Sequence, residues 1–258
     1  MRILLTNDDG VHADGLVVLE QIARSLTDDV WIVAPLADQS GSSHSITLQK
    51  PLRINSVKHQ KKVFSVTGTP ADCVLVGVHH LMENHRPDLI LSGVNSGGNS
   101  AEDILYSGTV AAAMEGTLLG IPSIALSQVI SSPNPVKWEA AAYHAASVIQ
   151  KILSMGIPEK ILVNVNFPSV DAHEVKGVRT TRIGNRKILD HLVACTDPRG
   201  KPYYWLGSSE ERYEDSGPPE PGTDLEAIIN GYISVTPLCL DSTHLPTFNE
   251  LQRVFNHD

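Results

Sequence analysis

The chain has 258 residues, which is enough for one large α/β domain with an arm. Its formal net charge of −9 at pH 7 argues against a nucleic-acid duplex or an anionic membrane as the main partner. Three widely spaced cysteines without a CxxC pair predict reduced thiols and a cytoplasmic location, and no apolar run approaches the roughly 20 residues of a membrane span.

The first predicted strand ends in an acidic turn. Residues 3–5 form a short apolar run, which is typical of a strand buried on both faces, and Asn7-Asp8-Asp9-Gly10 follow it. Two adjacent carboxylates at the end of a buried strand repel each other and lose hydration, so we expect a charge that offsets them, most simply a bound cation. The alternative is an Asx turn with both carboxylates in solvent, which is the favoured interpretation for this motif alone.

The elements that follow predict a parallel sheet. Residues 15–26 place leucines and an isoleucine at helical spacing, and residues 30–34 form a second apolar run. A strand, a helix and a strand in this order are typical of a βαβ unit. Ligands of such sheets bind outside the carboxyl ends of the strands, which is where the acidic turn lies. No GxGxxG motif is present here, so a dinucleotide-binding fold of the usual kind is not expected.

Two further loops are expected at the same edge of the sheet. Residues 38–45 form a hydroxyl-rich loop after the second strand, and residues 92–99 follow the predicted strand 89–91. In the later loop, glycines allow close backbone approach to a ligand, while Asn95 and Asn99 offer amide oxygens and donors. A flexible Ser/Gly connection and a long glycine turn are the alternative interpretations of these two loops.

The start of the helix that runs to Gly120 is a fourth candidate. Ser107-Gly108-Thr109 stand at its N-terminus. The free N–H groups of a helix N-terminus, together with two hydroxyls and a glycine, form a ready anion site. Capping by Ser107 or Thr109 explains one of the hydroxyls, and the cluster exceeds that need.

The second half of the chain predicts an arm. Residues 161–167 alternate apolar and polar side chains, which is typical of a less buried strand. The composition then shifts to Pro, Gly, Glu and Tyr, which indicates an extended segment or hairpin packed on another subunit. We therefore divide one domain into a core (1–184), an arm (185–222) and a C-terminal helix and strand that return to the core (223–258), with a last short helix over 245–255.

Three loops thus share one rim, with an anion site beside them. Their ligands are all oxygens, two charged and several neutral, which suits a hard cation such as Mg²⁺, Mn²⁺ or Ca²⁺ rather than zinc or copper. A metal beside an anion site is the arrangement expected for phosphoryl chemistry. The acidic turn attracts phosphate only once it holds a metal.

In these motifs the chain closely resembles the SurE (survival protein E) family of metal-dependent nucleoside monophosphate phosphatases, the 5′-nucleotidases. The resemblance covers nearly the whole chain in order and is weak in residues 131–156 and after residue 240. The matching segments are residues 3–10, 40–43, 68–73, 92–99, 106–116, 222–224 and 231–238.

The resemblance implies a Rossmann-like three-layer α/β sandwich with a mostly parallel sheet. It also implies a C-terminal β-hairpin and helix extension through which subunits form a homodimer or tetramer, one divalent metal ion per subunit (Mg²⁺ or Mn²⁺), and a nucleoside 5′-monophosphate substrate. Some family members also act on 3′-monophosphates or short polyphosphate. We assign the site residues accordingly: metal ligands Asp8, Asp9, Ser40 and Asn95; phosphate-binding residues Asn7, Asn99, Ser107, Gly108 and Thr109; catalytic residues Asp8 and Asn95.

The chain departs from the family pattern at Gln39, where an arginine or similar basic residue often precedes the Ser-Gly pair. The missing charge bears on phosphate affinity or substrate range rather than on the reaction. Two mechanisms stay open: attack on phosphorus by a water whose pKa the metal lowers, and attack by Asp8 to form an aspartyl phosphate.

Three other classes of protein remain as alternatives. A signalling receiver domain also carries an acidic pair after its first strand, but it would be shorter and would need an aspartate where this chain has Asn95. A non-catalytic protein that binds metal and phosphate or nucleotide for stability or assembly does not need the hydroxyl-rich helix start. A nucleotide-sugar transferase would have a second domain.

Overall fold

The computed structural model describes residues 1–57, 61–131, 135–186, 192–206 and 218–255. The strands are β1 Arg2–Thr6, β2 Asp29–Pro35, β3 Ile54–Ser56, β4 Val63–Val66, β5 Leu89–Ser96, β6 Ser123–Gln128, β7 Ile161–Phe167, β8 Val178–Thr180, β9 Leu192–Thr196, β10 Pro202–Leu206 and β11 Ile233–Cys239. A nine-stranded sheet forms the centre, with the strand order β3-β4-β2-β1-β5-β6-β7-β11-β8, and β9 and β10 form a separate antiparallel hairpin.

Helices cover both faces of this sheet. The α-helices are α1 Asp14–Arg24, α2 Pro70–Val76, α3 Gly108–Leu118, α4 Glu139–Met155, α5 Asp224–Ile229 and α6 Leu245–Phe255. A π-helical turn Gly77–Leu81 continues α2, and a 3-10 turn Ala101–Leu105 precedes α3. Of the helices that the structure describes, none has both the length and the apolar character needed to cross a membrane.

The strand order creates a switch point beside β1. The chain leaves β1 for β2 and β4 on one side, and then returns to place β5, β6 and β7 on the other side. These six strands pair in parallel, whereas β11 runs antiparallel to β7 and β3 antiparallel to β4. The mostly parallel α/β sandwich predicted from the sequence is confirmed. In such sheets the crevice at the carboxyl ends beside the switch point is the usual ligand site.

The two faces of the sheet have different helices. Leu16, Leu19 and Ile22 recur at helical spacing on α1 and pack with α4 and the odd-numbered side chains of β1 in one core. On the other face, Leu4 packs with α2 and α3. In α3, alanines and a valine are buried around most of the helix, as expected for a helix held close to the sheet.

The strand predicted over residues 161–167 is present as β7, but its predicted exposure was wrong. All of its residues after the first are buried, and Asn164 and Asn166 are fully inaccessible. The two asparagine side chains do not face solvent because their amides form hydrogen bonds with the backbone of Asn99 inside the protein.

The loop predicted from residue 92 begins later than expected. β5 continues to Ser96 with an irregular register between Ser92 and Asn95, so Asn95 is the penultimate residue of a strand rather than part of a loop. Gly93 has φ +134°, and a Cβ atom at this position would lie 2.2 Å from the carbonyl oxygen of Leu126, so only glycine fits here.

The C-terminal region contains the expected hairpin and helices. β9 and β10 lie within the predicted arm, whose residues 187–191 and 207–217 fall outside the described ranges. Thr223 caps α5 by accepting a hydrogen bond from the N–H of Glu226, whose carboxylate pairs with Arg179. The division into core, arm and returning segment stays a prediction.

Candidate active site

The acidic turn is built by Asn7. Its Nδ2 donates to the carbonyl oxygen of Gly10 (2.9 Å), and its Oδ1 accepts from the N–H of Gly10 (3.2 Å). Gly10 has φ +104°, a conformation that favours glycine. The buried Asn7 amide thus makes the Asx-type turn that the sequence allowed, and it positions the two aspartates that come next. Its predicted contact with phosphate stays a prediction.

Asp8 lies against the N-terminus of α3. Its side chain is 4% exposed, and its Oδ1 accepts a hydrogen bond from Thr109 Oγ1 (2.5 Å). A Cβ atom on Gly108 would come within 2.8 Å of Asp8 Cβ and 3.0 Å of Asp8 Oδ2, so this approach requires glycine. Burial raises the pKa of Asp8 above its ordinary value, although the Thr109 hydroxyl opposes the shift by stabilising the charged form.

Asp9 turns to the other face of the sheet. Its Oδ2 accepts a hydrogen bond from the N–H of Ser96, at the end of β5 (3.2 Å). Burial, followed by the neighbouring charge of Asp8, raises the pKa of Asp9 to about 6. Burial and mutual repulsion thus disfavour the ionised forms of both carboxylates. A cation bound between them would stabilise the ionised forms.

The loop after β2 reaches the turn through its backbone. The N–H of Gln39 donates to the carbonyl oxygen of Asp8 (2.8 Å), which places Ser40 next to the acidic pair. Ser40 is exposed, and both its N–H (2.7 Å) and its hydroxyl (2.6 Å) donate to Asp38 Oδ1. Asp38 was not among the predicted site residues, although an Asp two positions before a serine is a typical Asx-turn signal.

Asn95 stands at the end of β5, beside Ser96 and therefore beside Asp9. The side chain is half-buried, and its Nδ2 donates to the carbonyl oxygen of Gly97 (2.9 Å). With the amide nitrogen held in this way, Oδ1 is the atom of Asn95 that serves as an acceptor or metal ligand.

The Asn99 backbone is clamped by β7. Its N–H donates to Asn166 Oδ1 (2.8 Å), and its carbonyl oxygen accepts from Asn166 Nδ2 (3.0 Å) and Asn164 Nδ2 (2.7 Å). Its own side chain donates to Ser127 Oγ (2.8 Å). Sequence reasoning missed both β7 residues. The signal was present as Asn-x-Asn in an otherwise apolar strand, but it was interpreted as solvent exposure.

The helix start divides its two hydroxyls between two tasks. Ser107 is the N-cap and accepts from the N–H of Val110 (3.0 Å), which leaves its own hydroxyl proton for another acceptor. Thr109 lies inside α3 and gives its hydroxyl proton to Asp8. The structure therefore places Thr109 as a holder of the carboxylate, and its predicted contact with phosphate stays a prediction.

The donor set of the site is made of oxygens. Among the residues described, no three His, Cys, Asp or Glu side chains come together as a metal cluster. A cation at this turn would therefore rely on the Asp8 and Asp9 carboxylates and on neutral oxygens. This donor set fits a hard divalent cation and not zinc or copper.

Comparison with known proteins places this site in a family. The family model described as Survival protein SurE matches residues 3–190. A protein of Methylobacterium radiotolerans named 5′-nucleotidase SurE is 53% identical over 258 residues, covering 99% of each chain. A protein of Paramagnetospirillum magneticum with the same name is 51% identical over 255 residues, covering 99% of this chain and 96% of the relative.

A solved structure agrees with the fold. The crystal structure of the SurE protein from Aquifex aeolicus superimposes with a TM-score of 0.83 at 40% sequence identity, covering 98% of this chain and 99% of that one. The likeness therefore extends over the core, the acidic edge and the C-terminal elements.

Proposed function

Since the chain belongs to the SurE family, we propose that it is a 5′-nucleotidase that hydrolyses nucleoside 5′-monophosphates with the help of one divalent cation, Mg²⁺ or Mn²⁺. The relatives named 5′-nucleotidase SurE align over nearly their whole length, which supports this activity. We assign the cation to Asp8, Asp9, Ser40 and Asn95, the residues that surround the acidic turn.

The observation that carries the proposal is the contact between Asp8 and the N-terminus of α3. A helix N-terminus favours anions. Here the Thr109 hydroxyl donates to Asp8, and Gly108 lets the Asp8 carboxylate approach the first turn of α3 closely. A phosphate brought to this point would meet two carboxylates as well. A divalent cation held by Asp8, Asp9, Ser40 and Asn95 would offset that repulsion and would supply Lewis-acid polarisation of the phosphate and activation of water.

The residues of the chain supply positioning. The Ser107 hydroxyl and the N-terminus of α3 donate to the phosphate oxygens, and they need little reorganisation because capping and Asp8 already hold them. Asn99 is fixed at its backbone by the β7 amides, and its buried Nδ2, which donates one hydrogen bond to Ser127 Oγ, keeps a second N–H for the phosphate. We assign the catalytic roles to Asp8 and Asn95.

Two nucleophiles fit this arrangement, a water molecule and the Asp8 carboxylate. Attack by Asp8 leaves a phosphoryl group on the enzyme, whereas attack by water does not. A single turnover quenched in acid and analysed by mass spectrometry of the peptide that contains Asp8 separates the two mechanisms.

The test of the activity is phosphate release from a panel of nucleoside monophosphates in the presence of EDTA, Mg²⁺ or Mn²⁺. We expect release that requires a divalent cation and that differs among the bases. A protein that binds cation and nucleotide but releases no phosphate under any condition would contradict the proposal and favour a binding or assembly role.

We also propose that the C-terminal elements form an interface between subunits. β10 and α6 expose several large apolar side chains each. Soluble monomeric proteins rarely expose apolar patches of this kind. These are Tyr203, Tyr204, Trp205, Leu206, Leu245, Phe248, Leu251, Val254 and Phe255. Light scattering is expected to give the mass of a dimer or tetramer for the native chain and a smaller mass for a Trp205→Asp, Phe248→Asp variant. A monomeric native chain would contradict this assignment.

A cytoplasmic location is part of the same proposal. The three cysteines are free thiols, Cys73 is buried in the core, and the acidic composition agrees with a freely diffusing enzyme. Fractionation of cells that express the chain tests it, with activity in the cytoplasmic fraction as the expected result.

A further inference from the structure

We propose that the cleft on the α1/α4 side of the acidic turn binds the nucleoside part of the substrate, with Trp138 as the surface on which the base stacks. The inference rests on the proposed nucleotidase function and adds the residues that recognise the leaving group.

The cleft is continuous with the acidic turn. It has a volume of about 300 Å³, and Asp9 and Ser96 form part of its wall. This volume lies at the lower end of the range of about 300–1,000 Å³ found for small-molecule pockets. A ligand whose phosphate sits at the turn therefore has a cavity for its remaining atoms within direct reach.

The two faces of the sheet suit different parts of the substrate, the α3 face the phosphate and the α1/α4 face the nucleoside. Asp8 points to the α3 face, where the helix N-terminus and the Ser107 hydroxyl attract an anion. Asp9 bonds Ser96 on the α1/α4 side, where the cleft opens. A phosphate between the two carboxylates directs its oxygens to α3, and its ester group leaves in the direction of the cleft.

The wall of the cleft suits a flat heterocycle. Trp138 is half-buried against the core, and Pro135 and Val136 extend the apolar surface. The indole is fixed because it packs against the start of α1: a Cβ atom on Gly15 would lie 2.9 Å from its Cη2 and 2.0 Å from the carbonyl oxygen of Val94. A rigid aromatic ring at a cavity wall stacks on any nucleobase at low entropic cost.

The polar rim of the cleft suits a ribose. Asp14, the first residue of α1, is exposed there, and its carboxylate can accept hydrogen bonds from the two sugar hydroxyls. Its negative charge also disfavours additional phosphates on this side of the site. The cleft therefore favours a nucleoside monophosphate over a nucleoside triphosphate.

Kinetics with and without the base test the proposal. We compare adenosine 5′-monophosphate with ribose 5-phosphate for the native protein, Trp138→Ala and Trp138→Phe. Loss of the stacking ring is expected to raise KM for the nucleotide about tenfold with kcat nearly unchanged, because stacking acts equally in the ground and transition states. Ribose 5-phosphate is expected to keep its KM, and Trp138→Phe to restore most of the nucleotide affinity.

Tyr143→Ala is the matched control, since this aromatic residue lies in α4, whose N-cap is Trp138, but is 75% exposed and outside the cleft. It is expected to change neither substrate. A Trp138→Ala effect that is absent, or equal for the two substrates, would overturn the assignment of the base to the cleft. If that variant does not fold, Val136→Asp, at a partly exposed position, makes the same test by placing a charge in the cleft.

A binding measurement separates this inference from the activity. Adenosine, which carries no phosphate, is expected to quench the tryptophan fluorescence of the metal-free protein, and Trp138→Phe is expected to abolish the quenching. Quenching without phosphate release from any ester would refute the nucleotidase proposal and leave the nucleoside site standing. Phosphate release without quenching, and without a selective Trp138 effect, would do the reverse.

Discussion

The two sides of the acidic turn are built differently. On the α3 side, Asp8 is held by Thr109 and pressed against Gly108, and the Asn99 backbone is clamped at both its N–H and its carbonyl. On the α1/α4 side, Asp9 accepts one long hydrogen bond from Ser96 and lies beside an open cleft.

This difference matches the two parts of the substrate: the phosphate is the same in every nucleotide, and the nucleoside varies. A phosphate has the same shape in every nucleotide, so a site with fixed donors loses nothing by being rigid and stabilises charge without reorganisation. The nucleoside differs from one substrate to the next, and a cleft with a single aromatic wall tolerates that variation. Substitutions on the rigid side should therefore reduce turnover, and substitutions on the open side should change affinity.

The largest effect is expected for Asp8→Asn. Removal of one charge that is fixed at the reacting centre should lower kcat by about 10²–10³-fold. Because burial raises the pKa of Asp8, the ionised side chain costs stability in the metal-free protein, and the neutral amide should therefore keep or raise the melting temperature. Activity assays and thermal unfolding in EDTA check both statements. A variant that loses activity only because it unfolds would contradict them.

Gly108→Ala should come next. The new Cβ atom would overlap Asp8 Cβ and come within 3.1 Å of Pro70 Cγ, so the start of α3 must move away from the carboxylate. We expect a loss of about 1–3 kcal/mol of stability and up to about 10²-fold of turnover, because small displacements of catalytic groups are costly. Turnover equal to that of the native protein would show that the close approach is unimportant.

A smaller effect is expected for the β7 amides, which offer a matched pair. Asn166 makes two hydrogen bonds to the Asn99 backbone, whereas Asn164 makes one and has an Oδ1 that is buried without a partner among the described residues. Asn166→Ala should cost about 1–3 kcal/mol and Asn164→Ala less. Urea unfolding measures both values, and kcat should fall in the same order. The reverse order would refute the clamp.

The smallest effect concerns pH on the open side. The folded-state pKa of Asp9 is raised from 3.8 to about 6, so between these values the folded protein binds more protons than the unfolded chain. Its free energy of unfolding should therefore fall as the pH rises through this window, and Asp9→Asn should remove that contribution. Melting temperatures of the metal-free protein at pH 5 and pH 7.5 measure it. An equal pH dependence in Asp9→Asn would assign it to other groups.

The position of the acidic turn at the end of β1 followed from the sequence because local patterns determine it. A short apolar run that ends in Asp8 and Asp9 must place both carboxylates at the carboxyl end of a buried strand, and a βαβ unit brings neighbouring loops to the same edge. The capping role of Ser107 also depends on local spacing, so it too was accessible without coordinates.

The remainder depends on tertiary contacts that a pattern does not encode. Period-two alternation in β7 gave the correct strand but the wrong exposure, because Asn166 meets a loop residue 67 positions earlier in the chain. The hydrogen bond from Thr109 to Asp8 was not predicted, since it joins two turns that are distant in sequence and pack face to face. No local motif marks Trp138, and only the fold brings it beside Asp9 at the cleft.

The claim that a cation belongs at the acidic turn is tested most directly by calorimetric titration of Mn²⁺ into the metal-free native protein and into Asp8→Asn. We expect one Mn²⁺ per native chain, and an affinity for Asp8→Asn that is weaker by at least about tenfold. Unchanged affinity in the variant, or no binding to the native protein, would show that the cation does not belong at the acidic turn.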